Sequence, residues 1–263
     1  MKRKIGQILL AAYVVIFFAA LYGPIAVLIG LSFNAGRLAY VWGGFTLSRY
    51  PQVFSSETYM DALGLSLWIA TLNTVLSVVF GTLLGIALAR RPLGRFGLFW
   101  DALILLPLIL PEIIETLSIV LFYQVVGIRN GVLATTLGHT VFSVSFVALI
   151  VRARMGDLGK SYEEASMVMG ANRVVTFFRV LLPLAAPAII AGAFLAFAAS
   201  FDDVVKSNFT TAAGGDTLPL IIFHAARRGG ITPGLNALAT IMVAISLSAA
   251  FFRTLMERRI SRA

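Results

Sequence analysis

The sequence has no cysteine, only two histidines and few charges. Without cysteine, a disulfide, a thiolate nucleophile and a cysteine-ligated metal are all excluded. His139 and His224 alone are too few for a conventional zinc site. Charged residues make up 13% of the 263 positions, against about a quarter in an ordinary water-soluble domain. The spans bring no Ser/His/Asp constellation together and there is no glycine-rich dinucleotide loop, so no residue is assigned a catalytic role and no metal site is expected. GDLGKSY, Gly156–Tyr162, ends like a phosphate loop, but the first glycine of GxxxxGK[ST] would fall at Arg154, behind an apolar helix where a strand is needed. What is present instead is hydrocarbon: 59% hydrophobic residues and a mean hydropathy of +0.92, the composition of a membrane protein.

A crossing of about 30 Å of hydrocarbon takes roughly 20 apolar residues, and six segments reach about that length. They run Ile8–Phe33, Leu63–Ala89, Phe96–Tyr123, Val132–Val151, Leu184–Phe201 and Leu235–Phe252. The first follows Lys2, Arg3 and Lys4 as a signal peptide would, but it is too long for a signal core and is expected to be retained. With a net charge of +9, the side on which Lys and Arg fall says more than their sum. Basic residues gather at the N-terminus, at Arg90, Arg91 and Arg95, between Arg152 and Arg179, and after Phe252. Only Arg37, Arg49, Arg129, Lys206, Arg227 and Arg228 lie opposite. This places both termini in the cytoplasm and makes nucleic acid an unneeded partner; the partner is the bilayer. The stretches Asn34–Ala62 and Asp202–Gly234 then face outward and are expected to carry short surface helices.

Within the spans, Gly81 and Gly85 form a GxxxG pair, compatible with a tight helix contact or with small lipid-facing residues. Gly23-Pro24 and the prolines Pro107 and Pro111 are expected to bend or break their helices. Four acidic residues stand in or beside apolar segments. Glu112 and Glu115 lie one helical turn apart on one face, and a carboxylate at bilayer depth, costing about 2.5–3.5 kcal/mol, normally faces protein or water. Glu112 directly follows Pro111, so capping a restarted helix is an equally physical role. Asp202 and Asp203, at the end of the fifth span, would attract cations at a pathway mouth or else cap a turn. His139, inside the fourth span, is read as a hydrogen-bonded packing residue.

One polar stretch separates the fourth and fifth spans: SYEEASMVMGANRVVTFFRVLLP, Ser161–Pro183. Ser161-Tyr162-Glu163-Glu164 has the spacing of a capping box, Ser161 accepting from residue 164 while Glu164 reaches back. Ala165, Val168, Met169 and Asn172 fall on one helical face, and Gly170 suits the left-handed residue that ends a helix. Arg173–Leu181 is expected to form a second short helix before Pro183 opens the next span. Such a pair either rests on the membrane interface or docks into another protein.

Glu164-Ala165-Ser166, then Gly170 after three more residues, then Val180, Leu182 and Pro183, resembles the EAA motif of ABC-importer permeases, with Ser166 in place of a second alanine and Val180 in place of a common isoleucine. The likeness extends over Leu106–Leu247: LPLILPEII, SFDDVV at 200–205, TLPLIIF at 217–223 and ITPGLNALATIMV at 231–243 resemble the permeases of spermidine/putrescine-type importers. The resemblance implies an all-α polytopic membrane protein of six transmembrane helices with the type I ABC importer permease (MetI-like) fold, residues 1–263 forming one permease domain and 161–183 its coupling helices. It implies that Glu164, Ala165, Ser166, Gly170, Ala171, Val180, Leu182 and Pro183 meet an ATPase. It further implies a second permease, usually different from this one, two ATP-binding subunits and a periplasmic substrate-binding protein in the bacterial inner membrane. ATP and Mg would sit on the ATPases and no cofactor on this chain. Substrate would pass Glu112, Glu115, Asp202 and Asp203 by alternating access. Lys206 and Arg227-Arg228 depart from what a cationic solute suggests. The alternative is an ion-coupled secondary transporter or channel subunit that uses Glu112 and Glu115 as ion sites.

Overall fold

A computed structural model describes residues 2–90, 97–230 and 232–260. Arg91, Arg95 and Arg262, and the expected start of the third span at Phe96, lie outside the described residues. Among these residues the α-helices follow in order: α1 (Lys2–Leu31), α2 (Arg49–Phe54), α3 (Glu57–Arg90), α4 (Gly97–Ile109), α5 (Glu112–Val126), α6 (Val132–Asp157), α7 (Ser161–Val168), α8 (Arg173–Thr176), α9 (Leu182–Phe201), α10 (Val205–Thr210), α11 (Leu218–Arg227) and α12 (Pro233–Ile260). A π-helical turn, Phe177–Leu181, joins α8 to α9. The only extended pairing among the described residues is an isolated bridge between Asn34 and Phe45.

Among the described residues, four helical stretches are long and apolar enough to cross a bilayer: Leu9–Leu31, α3, α6 and Arg173–Phe201. The expected third span is not one straight helix. It is α4 and α5, bent by 107° at Leu110-Pro111. Pro111 has no N–H to continue the α4 ladder, and its ring disfavours the helical conformation at the residue before it. Pro107, by contrast, is absorbed inside α4. Gly23-Pro24 likewise does not end the first span, since α1 runs through Pro24. One missing backbone bond inside 30 residues is not enough to terminate that helix.

The chain divides into two compact units. The first comprises Met1–Met60 with His224–Ile245. Its organising residue is Asn34, fully buried, whose Nδ2 donates to the carbonyls of Leu38 and Val41 and whose Oδ1 accepts from the amides of Gly36 and Gly43. One side chain thereby satisfies four backbone groups of a loop that has no helix to do so. Arg49, opening α2, donates to the carbonyls of Asn34, Ala35 and Gly36, so the short surface helix expected here is tied to that loop.

The second unit comprises Asp61–Phe223 with Ser246–Ala263. Its centre is α6, which packs against α3 and α9. A methyl group on Gly81 would lie 2.6 Å from Val147 Cβ, one on Gly85 2.6 Å from the Ala148 carbonyl oxygen, and one on Gly192 of α9 3.2 Å from Val147 Cγ2. The GxxxG pair is therefore a close helix contact rather than a lipid face. Ile86, Val147, Val151, Met155, Leu181, Ala185, Ala188 and Ala196 make the apolar core at this junction. Asn73 of α3 crosses it, donating to the Ala196 carbonyl at 2.9 Å and to Ser143 Oγ at 3.2 Å. The α3–α6 approach leaves no room at Gly85, whereas nothing lies within 4 Å of a methyl at Gly23. Gly85→Val is expected to cost about 1–3 kcal/mol through overpacking and to lower the unfolding temperature of the detergent-solubilised subunit, while Gly23→Ala leaves it unchanged; equal melting curves would show that the contact is loose.

Candidate functional site

Two sites take shape in the second unit, one around the four acidic residues and one at the polar stretch Ser161–Pro183.

The bend at Pro111 starts α5 with Glu112 and Glu115 in its first turn, where the positive end of the helix dipole favours negative charge. The same turn carries both carboxylates to a cavity of about 540 Å³, which Phe142 and Phe146 of α6 and Asp202 and Asp203 after α9 also line. That volume is within the roughly 300–1,000 Å³ usual for small-molecule sites. All four acidic residues singled out in the sequence thus border one space. Glu115 is buried, and Glu112 has half of its side chain exposed.

Lys206, in α10, is only 3% exposed. Its Nζ donates to Glu112 Oε1 at 3.2 Å, lies 3.2 Å from Glu115 Oε2 without hydrogen-bond alignment, and sits 4.8 Å from the centre of the Phe142 ring. A buried ammonium needs opposite charge close by, and the two glutamates with an aromatic face supply it. In the sequence Lys206 looked like a charge set against a cationic solute; the structure makes it the counter-ion of the glutamates. The signal for that pairing was available, since a lysine next to a span end and two carboxylates inside a neighbouring span each require a partner.

Asp202 and Asp203 separate in role. Asp202 is exposed toward the cavity. Asp203 is buried and accepts from the Ser207 amide at 2.8 Å, with His139 Nε2 at 3.2 Å from the same oxygen. The other ring nitrogen of His139 meets Ser200 Oγ at 2.7 Å. The histidine is a hydrogen-bonded packing residue, as its position in a span suggested, and it anchors the end of α9.

At the polar stretch, α7 begins at Ser161, but the capping box does not form. Lys160 is the residue before the first helical position, no side chain caps the end, and the Lys160 carbonyl accepts from the amides of Glu163 and Glu164. Ser161 lies already inside the helix, one position too late for its hydroxyl to reach the orphan amides. The C-terminal end matches expectation. Gly170 adopts φ +89°, Ala171 N–H donates to the Ser166 carbonyl and Gly170 N–H to the Met167 carbonyl, the paired bonds of a Schellman turn. Asn172 does not share the α7 face. It caps α8, its side chain accepting from the Val175 amide at 2.9 Å.

The second arm differs from a separate short helix. α8, the π-helical turn and α9 form one stretch from Arg173 to Phe201. Pro183 in the first turn of α9 cannot donate to an α-helical partner, and its ring crowds the carbonyl four residues back. The backbone widens there, and Leu182 N–H donates five residues back, to the Phe177 carbonyl. Ser166 and Thr176, both buried, join the two arms through their hydroxyls at 3.1 Å. Ser166 is thus the residue that ties α7 to α8. Arg90 at the end of α3 pairs with Glu163 and donates to the Met155 carbonyl at 2.7 Å, fixing the pair to α3 and α6. Glu164, Ala165, Gly170 and Pro183 are exposed; Ala171, Val180 and Leu182 are partly buried. The turn itself presents apolar side chains outward, Val168 at 88% and Met169 at 82% exposure, which nothing in this chain covers among the described residues.

Comparison with known proteins agrees with these features. Residues 81–262 match the family described as binding-protein-dependent transport system inner membrane component. The chain is 34% identical over 232 residues to the putrescine transport system permease protein PotI of Escherichia coli (strain K12), covering 86% of this chain and 82% of that one. It is 33% identical over 249 residues to the spermidine/putrescine transport system permease protein PotC of Haemophilus influenzae, covering 94% and 96%. A solved bacterial ABC transporter involved in import of the acidic polysaccharide alginate shares its fold, with a TM-score of 0.79 at 16% identity over 98% of this chain and 97% of that one. The chain is a multi-pass inner-membrane permease without catalytic activity of its own, and it belongs to the family of binding-protein-dependent transport system inner-membrane components.

Proposed function

We propose that this chain is a permease subunit of an ATP-driven importer for putrescine, spermidine or a related small cationic solute. The observation that carries the substrate class is the cavity bordered by Glu112, Glu115, Asp202 and Asp203, whose carboxylates outnumber the one lysine beside them. A protonated amine is the solute such a wall attracts, and both relatives described above carry polyamine names.

In this reading the chain works beside a second, different permease as one domain of six spans, with both termini in the cytoplasm. A periplasmic binding protein delivers the solute, and two ATPases hold ATP and Mg. Glu164, Ala165, Ser166, Gly170, Ala171, Val180, Leu182 and Pro183 form the contact with an ATPase. Support comes from the uncovered Val168 and Met169 and from the ties at Ser166–Thr176 and Arg90–Glu163, which let the helix pair move as a unit with α3 and α6. The groove beneath the pair, about 430 Å³, carries Lys160, Arg173 and Met167. The ion-coupled alternative gives the helix pair at 161–183, with its uncovered Val168 and Met169, no role.

Two measurements test this. Inside-out controls aside, vesicles holding the complete set of subunits are expected to take up labelled putrescine or spermidine only when ATP is supplied, and uptake driven by an ion gradient without ATP would refute the importer reading. Gly170→Val places a β-branched residue at a left-handed position, which costs about 1–2 kcal/mol locally and disturbs the turn through its backbone, since nothing lies within 4 Å of an added Cβ. The variant is expected to stay in the membrane, to lose co-purification with the ATPase and to lower uptake at least about tenfold, ~1.4 kcal/mol in coupling. Normal ATPase binding with normal uptake would remove the docking role.

A further inference from the structure

We propose that Lys206 sets the charge of the solute this cavity accepts: its ammonium occupies one ammonium position beside Glu112, Glu115 and Phe142, so that the space left favours a linear diamine over a triamine. The inference rests on the polyamine reading above and adds to it a residue and a direction.

The surroundings of Nζ are those a primary ammonium ligand would use, two carboxylates and the face of an aromatic ring. The lysine is held there by its backbone. Thr210 Oγ1 donates to the Lys206 carbonyl at 2.7 Å and lies 3.0 Å from Thr135 Oγ1, and the Gly131 amide donates to the Thr210 carbonyl at 2.8 Å. α10 is thereby fastened to the start of α6, and the ammonium stays inside instead of reaching for water.

A pair that served packing alone would leave nothing over, yet this one does. Glu115 is 5% exposed and lines the cavity, and its Oε1 accepts no hydrogen bond among the described residues. Such a buried oxygen calls for a donor. Glu112 turns half of its side chain to solvent, and Asp202 makes no ion pair among the described residues. Asp203 is already committed to the Ser207 amide and His139. One lysine shared by Glu112 and Glu115, with Asp202 unpaired, leaves roughly the negative charge that two ammonium groups offset. A third ammonium would have to lie near that of Lys206, where like charges repel in a water-poor site.

The test uses the complete importer in vesicles and reads the ratio of initial spermidine to putrescine uptake, normalised to wild type so that the binding protein's own preference cancels. Lys206→Met is expected to raise the ratio about tenfold, ~1.4 kcal/mol; Lys206→Arg, which keeps the charge, is expected to stay near wild type. Glu115→Gln removes a negative charge with Lys206 still on Glu112 and is expected to lower the ratio. The double variant Lys206→Met/Glu115→Gln restores the balance and should return it. An unchanged ratio in Lys206→Met with uptake intact overturns the proposal. If that variant is lost because two carboxylates are left unpaired, an unchanged or raised ratio in Glu115→Gln overturns it instead. Absence of both solutes from wild-type vesicles, with another solute imported, would refute the polyamine reading itself and be told apart by that control.

Discussion

Hydrocarbon offers no water to complete a hydrogen bond or solvate a charge, and a polar group in the spans is costly unless another part of the chain or a cavity answers it. That requirement explains why the second unit is built as it is. Asn73 can cross the core because Ala196 and Ser143 accept from it. His139 is held on both ring nitrogens. Lys206 enters because two glutamates and a phenyl ring await it. The close approach of α3, α6 and α9 at their glycines serves the same end, since polar side chains as short as asparagine and serine meet only when backbones come near.

The fold was legible in the sequence where a single signal dominates. Apolar length revealed most spans, and Gly170 marked the helix end because only a residue without Cβ takes its backbone conformation without strain. Where two signals compete, the sequence was less informative. Pro24 and Pro111 look equally disruptive, yet only the second breaks a helix; the difference lies in the restart that Glu112 and Glu115 favour after Pro111. Ser161 had capping-box spacing, but the register of α7 is set by the preceding turn. Lys206 and Glu112 show in the sequence only as charges that each need a partner, and nothing local announces the pairing of Ser166 with Thr176 across a turn.

Proteins that share this fold or this sequence carry the names of solutes of opposite charge. A solved structure with this fold belongs to an importer of an acidic polysaccharide, whereas the relatives at about one-third identity carry polyamine names. Under the proposed function, the backbone geometry shared with that structure leaves solute preference on this subunit to the few side chains that border the cavity. The charged ones come from the break in one span, the end of another and a six-residue helix, parts where backbone direction changes, while the unbroken α6 adds Phe142 and Phe146.

The π-helical turn at Phe177–Leu181 has a mechanical consequence. By widening rather than breaking at Pro183, the chain keeps 29 residues from Arg173 to Phe201 in one helical stretch, roughly 44 Å at 1.5 Å per residue. One end of this lever carries the exposed crest of the helix pair, and the other stops at Asp202 on the cavity wall. A tilt of a single degree at the crest moves the far end by about 0.8 Å over that length, a large step compared with the tolerance of a 3 Å ion pair.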